Sequence, residues 1–148
     1  MMANTETQTR ISQVGTVFVP VADQDRALTF YLEKLGFEKR GDFPYGEGSR
    51  WVEVAPPGSK IAIALVSPDE GGTPGGDRTY CALSTADIEA DHATLRARGV
   101  EVDAEVARGG RARQLLFDTG RHMDNATVPP MFFLRDLDGN RFLLVEPD

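Results

Sequence analysis

The first regular pattern begins at Val14, where VGTVFVPV packs β-branched side chains at short intervals with Pro20 near the end, the signature of a strand whose last turn is irregular. The apolar period then lengthens. Asp23 stands where a helix N-cap belongs, and Leu28, Tyr31, Leu32 and Leu35 fall at i, i+3, i+4 and i+7. Gly36 follows where a left-handed residue stops a helix. Short apolar runs over 37–43, 50–54 and 61–66, separated by PYGEGS and PPGS, predict three more strands. The order so far is β-α-β-β-β.

Residues 69–77, DEGGTPGGD, are too rich in glycine and polar groups for a packed element and read as a linker. Beyond them the order restarts. TYCALS (79–84) predicts a strand, Asp87 a cap, and a helix runs through Arg98 to a stop at Gly99. A strand follows from Val100, and strands over 131–135 and 141–146 are joined by the turn DLDGN. Asp23 matches Asp87, Gly36 matches Gly99, and APPGSKIAIALV matches RDLDGNRFLLVE, so the chain is an internal duplication with too few copies for a solenoid or propeller. The predicted organisation is a flexible tail (1–12), a first module (13–68), the linker (69–77) and a second module (78–148). The second module carries an extra loop over 107–130, containing RGGRAR and HMDNATVPP and one short strand around 114–117.

Composition narrows the function. With 148 residues and 41% hydrophobic side chains the chain fills one core without needing disulfides or a structural metal. Its 23 acidic against 16 basic residues, net −7, argue against a surface that neutralises nucleic-acid phosphates or anionic lipid. A neutral or cationic small partner fits better. Cys81 is the single cysteine, which excludes an internal disulfide and a Cys-rich zinc site. No stretch has the apolar length of a membrane span, and the polar residues 1–10 lack the apolar core of a signal peptide, so a soluble cytoplasmic protein is expected.

The string VAD-x-x-RA-x-x-FY-x-x-x-LGF over 21–37, the closing D-x-DGN over 136–140 and the two βαβββ halves together resemble the vicinal oxygen chelate superfamily. That superfamily holds glyoxalase I, extradiol dioxygenases, fosfomycin resistance enzymes and bleomycin resistance proteins. The resemblance implies an α+β fold: two tandem βαβββ modules forming cupped mixed sheets with helices outside. It also implies a divalent ion held by His or Gln on the first strand of each module and Glu on the last. Aligned on those motifs, the four positions here are Thr16, Tyr80, Ala64 and Leu143. None is a usual ligand for a first-row metal. Glu146 has the opposite strand parity to Leu143 and so points away if Leu143 points in.

Strand alternation puts Thr16 and Phe18 opposite Val17 and Val19, Tyr80 and Ala82 opposite Cys81 and Leu83, and Ala62 and Ala64 opposite Ile61, Ile63 and Leu65. The first-named sets would line the cup with aromatic, small and aliphatic groups, a surface suited to a planar or apolar guest. Trp51, the only tryptophan, is either a stacking platform or a core or dimer residue. Glu53 shares its face, as an acid for a cationic ligand, a general base or a solvated strand carboxylate. His92, between Ile88 and Leu95, reads first as a hydrogen-bonded helix residue, His122 as an exposed loop residue or a lid, and Cys81 as a buried inert thiol. RGGRAR lacks the strand-to-helix context of a phosphate loop.

The leading expectation is a metal-free, cofactor-free binding protein of the glyoxalase/bleomycin resistance type that sequesters an aromatic or cationic natural product, as in antibiotic resistance. Its ligand face would comprise Thr16, Phe18, Trp51, Glu53, Ala62, Ala64, Tyr80, Ala82 and Leu143. The alternative is a glyoxalase-like lyase or a dioxygenase, with displaced metal ligands or acting through Glu53, His122 or Tyr80. A third reading is an interaction protein whose cup is filled by its own side chains. The resemblance implies a homodimer, side by side or with modules exchanged.

Overall fold

The structure, a computed structural model, describes residues 8–112 and 128–147. β1 (Thr16–Pro20) lies parallel to β4 (Ala62–Val66), with Thr16 opposite Ala62 and Phe18 opposite Ala64. β3 (Arg50–Ala55) pairs antiparallel with β4, and β2 (Glu38–Pro44) closes the order β1-β4-β3-β2. The parallel β1/β4 pair requires a crossover, which begins with α1 (Gln24–Glu33). Asp23 caps α1 by accepting from the Arg26 amide at 3.1 Å, and Gly36 (φ +74°) turns the chain into β2. Gln24 Nε2 donates to the carbonyls of Arg50 and Leu65 at 2.7 and 2.8 Å, tying the first turn of α1 to β3 and β4.

The second module repeats this plan. β5 (Thr79–Ser84) runs parallel to β8 (Arg141–Val145), β7 (Met131–Arg135) antiparallel to β8, and the two-residue β6 (Glu101–Val102) completes the order β5-β8-β7-β6. α3 (Ile88–Ala97) is capped twice, by Asp87 accepting from the Ala90 amide at 3.1 Å and by Glu146 accepting from the Ile88 amide at 2.8 Å. The short strand expected around 114–117 lies outside the described residues.

Between the modules the expectation of a structureless linker is corrected in part. Pro68 opens a single helical turn, α2 (Pro68–Gly71), which docks on the first sheet. It can do so because Gly71 has no side chain: a Cβ there would come within 2.8 Å of Val66 Cγ2 and 3.0 Å of Pro20 Cβ. Farther on, the Gly75 amide donates to Asn140 Oδ1 at 2.8 Å.

One apolar core serves both modules. It takes Val19, Val52, Val54, Ile63 and Leu65 from the first sheet, Phe132, Leu134, Phe142 and Leu144 from the second, and Ala27, Tyr31, Ile88 and Leu95 from the two long helices. Each large side chain buried here stabilises the fold by about 1.5–3 kcal/mol. Tyr31 of α1 touches the second sheet directly, its ring 6.3 Å from that of Phe142. Both long helices therefore contribute to the core that the two sheets share, and the opposite face of each sheet points away from this core.

The turn 136–140 latches the halves together. Tyr31 donates its hydroxyl to Asp136 Oδ2 at 2.5 Å, Asn140 Nδ2 donates to the Pro20 carbonyl at 2.7 Å, and the Ala22 amide donates to Asp138 Oδ1 at 3.1 Å. Asp136 and Asn140 are both buried. Burial pushes the Asp136 carboxyl above the usual carboxylate range, against the downward pull of bonds from Tyr31, Asn140 and the Asp138 amide. Burial beside that carboxyl raises the Tyr31 phenol well above its ordinary value. Tyr31 therefore stays a donor at any ordinary pH. Among the described residues, no helix is long and apolar enough to cross a membrane.

Candidate functional site

On the open face of the first sheet, three strands bring Phe18, Ala64 and Glu53 side by side, Phe18 opposite Ala64 across β1/β4 and Glu53 opposite Ala64 across β4/β3. Thr16 and Ala62 lie one pleat away. Trp51, on the same face as Glu53, meets Phe18 edge to face with ring centroids 5.6 Å apart, and Tyr45 from the β2–β3 turn meets it at 6.1 Å. Trp51 Nε1 donates to Glu53 Oε2 at 2.7 Å, which fixes both side chains. Phe43, paired with Trp51 across β2/β3, is 52% exposed and Phe18 is 47% exposed, so this aromatic wall is open along its length. The two alanines lie between Phe18 and Glu53 and are themselves buried beneath the neighbouring side chains.

The second sheet presents the equivalent face. Ala82 lies opposite Leu143, and Leu143 opposite Phe133. Leu143 clusters with Met131, Ala107 and Ala112, and Phe133 and Val145 pack against them. Tyr80 departs from the expected parity. Three steps along β5, from Thr79 to Ala82, match two along β8, from Arg141 to Leu143, so counting by twos fails through this irregularity. The Tyr80 ring turns to the helix side, 6.1 Å from Phe142, with the Arg78 guanidinium 4.2 Å above it. Thus Thr16, Phe18, Trp51, Glu53, Ala62 and Ala64 share one wall, Ala82 and Leu143 belong to the other, and Tyr80 belongs to neither.

Because both sheets turn their other faces to the common core, the two walls of one chain face away from each other. A concavity of about 620 Å³ does occur within the chain, but it opens at the seam between modules, lined by residues such as Val17, Ile63, Pro56, Cys81 and Leu83, and it excludes Trp51 and Glu53. The remaining candidates are occupied structurally. Glu146 caps α3. His92 Nε2 lies 2.7 Å from the Asp103 carbonyl and its ring meets Phe132 at 4.8 Å. Burial pushes the Cys81 thiol up, which disfavours the reactive thiolate. Arg108 pairs with Glu89 and Arg111 with Glu105. His122 lies outside the described residues.

The implied divalent ion does not fit this donor set. Thr16, Ala64 and Leu143 on the open faces offer no imidazole, amide or carboxylate, and Tyr80 is turned away. Among the described residues no three His, Cys, Asp or Glu side chains converge. Sequence reasoning missed Tyr45 and Phe43, which flank Trp51, and Phe133, which extends the second wall. Phe43 could have been found from the hairpin register that pairs it with Trp51. Tyr45 lies in a turn, where no period applies.

A family model described as the Glyoxalase/Bleomycin resistance protein/Dioxygenase superfamily matches residues 11–144. The chain belongs to this superfamily. A solved superfamily member from Sphaerobacter thermophilus DSM 20745 is 32% identical, over 93% of this chain and 99% of that one, with a TM-score of 0.76. TnmS3, an antibiotic binding protein from Streptomyces sp. CB03234, is 33% identical over 95% of this chain and 100% of its own, with a TM-score of 0.70. The uncharacterized protein YetH of Bacillus subtilis (strain 168) is 44% identical over 55 residues, 37% of this chain, and the match spans only 46% of YetH. The superfamily's two-module α+β architecture is thus present over the described residues, and one of these relatives, TnmS3, is an antibiotic binding protein.

Proposed function

We propose that this superfamily member is a metal-free binding protein that sequesters an aromatic or cationic natural product, in cups completed when two copies pair. The observation that carries the reading is the wall of Phe18, Trp51 and Glu53 over the buried Ala62 and Ala64, standing where a metalloenzyme of this superfamily would place a ligating carboxylate. Aromatic stacking on Trp51 contributes about 0.5–1.5 kcal/mol beyond the area buried, and a cation over its face about 0.5–2 kcal/mol. Glu53 uses Oε2 for Trp51 and keeps Oε1 for a cationic or donor group. The antibiotic-binding relative supports the ligand class.

The outward aim of the two walls supports pairing. A two-fold partner would set the first wall of one copy against the second wall of the other, enclosing the guest and covering Phe18 and Phe43. The experiment combines metal analysis with a titration. Protein purified without chelator is assayed for Zn, Ni, Mn and Fe, then titrated with planar natural products while the fluorescence of Trp51, the only tryptophan, is followed. Little metal, saturable quenching and recovery of the compound unchanged are expected. One tightly held ion per chain, or conversion of the compound, would overturn the reading. Sedimentation tests the pairing, which a monomer at binding concentrations would rule out.

A further inference from the structure

The second wall carries a prearranged guanidinium that the binding reading above does not use. Arg141 begins β8 with the same parity as Leu143, and its Cζ lies 4.3 Å from the centroid of the Phe133 ring. Nε donates to Thr79 Oγ1 at 3.0 Å and Nη2 donates to the Asp77 carbonyl, so its plane is fixed by neutral acceptors alone. Among the described residues Nη1 has no acceptor, and no carboxylate lies within ion-pair distance of the group. Directly across the ladder stands Arg135, a second cation, which reaches the Gly76 and Gly139 carbonyls and, among the described residues, has only the carboxylate of Glu101 near it, at 3.7 Å. Like charges opposite each other on one sheet face repel, so this end of the wall is better satisfied with an anion present. Beside it Phe133 is half-buried and packs on Leu143 and Met131, which are themselves buried.

We propose that Arg141 is the anion-recognising residue of the ligand site and that the guest is a planar aromatic compound bearing an oxyanion: a carboxylate, sulfonate or phenolate. The oxyanion meets the open edge of the guanidinium, and the ring lies against the exposed part of Phe133. A stacked, hydrogen-bonded fork is already oriented for such a group, so little side-chain freedom is lost on binding. The local field thus selects a guest of the same sign as the chain's net charge of −7, because at physiological salt charges beyond about 8 Å are screened. The inference rests on the binding reading, and its test separates the two.

The probes are 8-anilinonaphthalene-1-sulfonate and N-phenyl-1-naphthylamine, which share one ring system and differ by the sulfonate. Each is titrated by its own fluorescence into the full-length protein and into Arg141→Gln and Arg141→Lys, with thermal melts as the check on folding. The sulfonate is expected to bind the native chain about tenfold more tightly than the neutral amine. Arg141→Gln should remove that preference, read as the ratio of the two probes' affinities in the same variant. Arg141→Lys keeps the charge without the fork and should lower the preference several-fold, and it carries the test if the Gln variant does not fold. An unchanged preference in either folded variant, or none in the native protein, overturns the role of Arg141 and leaves the binding reading standing. If neither probe binds saturably, the binding reading fails and the inference fails with it.

Discussion

Replacing Tyr31 by Phe removes one oxygen from the centre of the molecule and tests whether the turn 136–140 joins the modules. The hydroxyl is fully buried and donates to a carboxylate at 2.5 Å. A buried hydrogen bond to a charged acceptor contributes about 1.5–3 kcal/mol. Asp136 keeps other donors: Asn140 Nδ2 at 3.0 Å on Oδ2, and the Asp138 and Asn140 amides at 2.9 Å on Oδ1. The loss should therefore fall near the low end, about 2 kcal/mol. At about 2.1 cal/mol/K per residue for unfolding entropy, that lowers Tm by about 6 °C. The effect should also depend on pH. Asp136 is raised in the folded state, so its stabilising contribution is complete below the unfolded carboxyl range, near about pH 4, and is lost as pH rises through the folded value. The Tyr31 bond holds that value down; without it the carboxyl rises further and the loss extends to higher pH. Melting curves at pH 5 and pH 8 should then show the larger drop at pH 8, and the difference should shrink in an Asp136→Asn background. An equal drop at both pH values would refute the reasoning.

Other substitutions probe separate steps. Gly71→Ala should cost about 1–3 kcal/mol in urea unfolding, because the added methyl meets Val66 and Pro20 where α2 docks. Glu146→Ala should cost about 0.5–2 kcal/mol by leaving the Ile88 amide uncapped, read from the same unfolding curves, with little effect on probe binding. Trp51→Ala should change the melting point little, since its wall is open, but should weaken N-phenyl-1-naphthylamine binding about tenfold in a fluorescence titration. Unchanged affinity would remove Trp51 from the site.

Where periodicity alone decides an outcome, the sequence was sufficient. Asp23 and Asp87 cap their helices, Leu28, Tyr31 and Leu32 fall on one face of α1, and Gly36 turns the chain shortly after its end, because these signals act within a single turn. The turn-rich string 69–77 hid a docked helical turn, since the close approach at Gly71 depends on Pro20, which is remote in sequence. Tyr80 was assigned to the open face because parity was counted through a strand whose register slips, and nothing local marks the slip. The first wall was legible as a set, as Thr16, Phe18, Trp51, Glu53, Ala62 and Ala64 all obey simple alternation. That its partner wall, with Leu143, faces the other way was not legible, because alternation states which residues share a face and not how two sheets are stacked.

The string D-x-DGN, which did most to suggest the superfamily, performs none of the chemistry attributed to the site. Asp136 receives Tyr31 from α1, Asn140 reaches Pro20 at the end of β1 and holds Gly75, Asp138 receives Ala22, and Gly139 takes φ +82° to let the turn close. Each of these bonds joins one half of the chain, or the segment between the halves, to the other. None involves Thr16, Phe18, Trp51, Glu53, Ala64 or Leu143. The latch thus lies in the turn between β7 and β8, apart from the open-face residues proposed to meet a ligand. On the proposed reading, a substitution on an open face should alter what is bound without loosening the latch, and one in the latch should cost stability before it touches binding. Family membership is therefore written in the core and the turn, whereas the proposed guest site is the aromatic wall, Glu53 and Arg141.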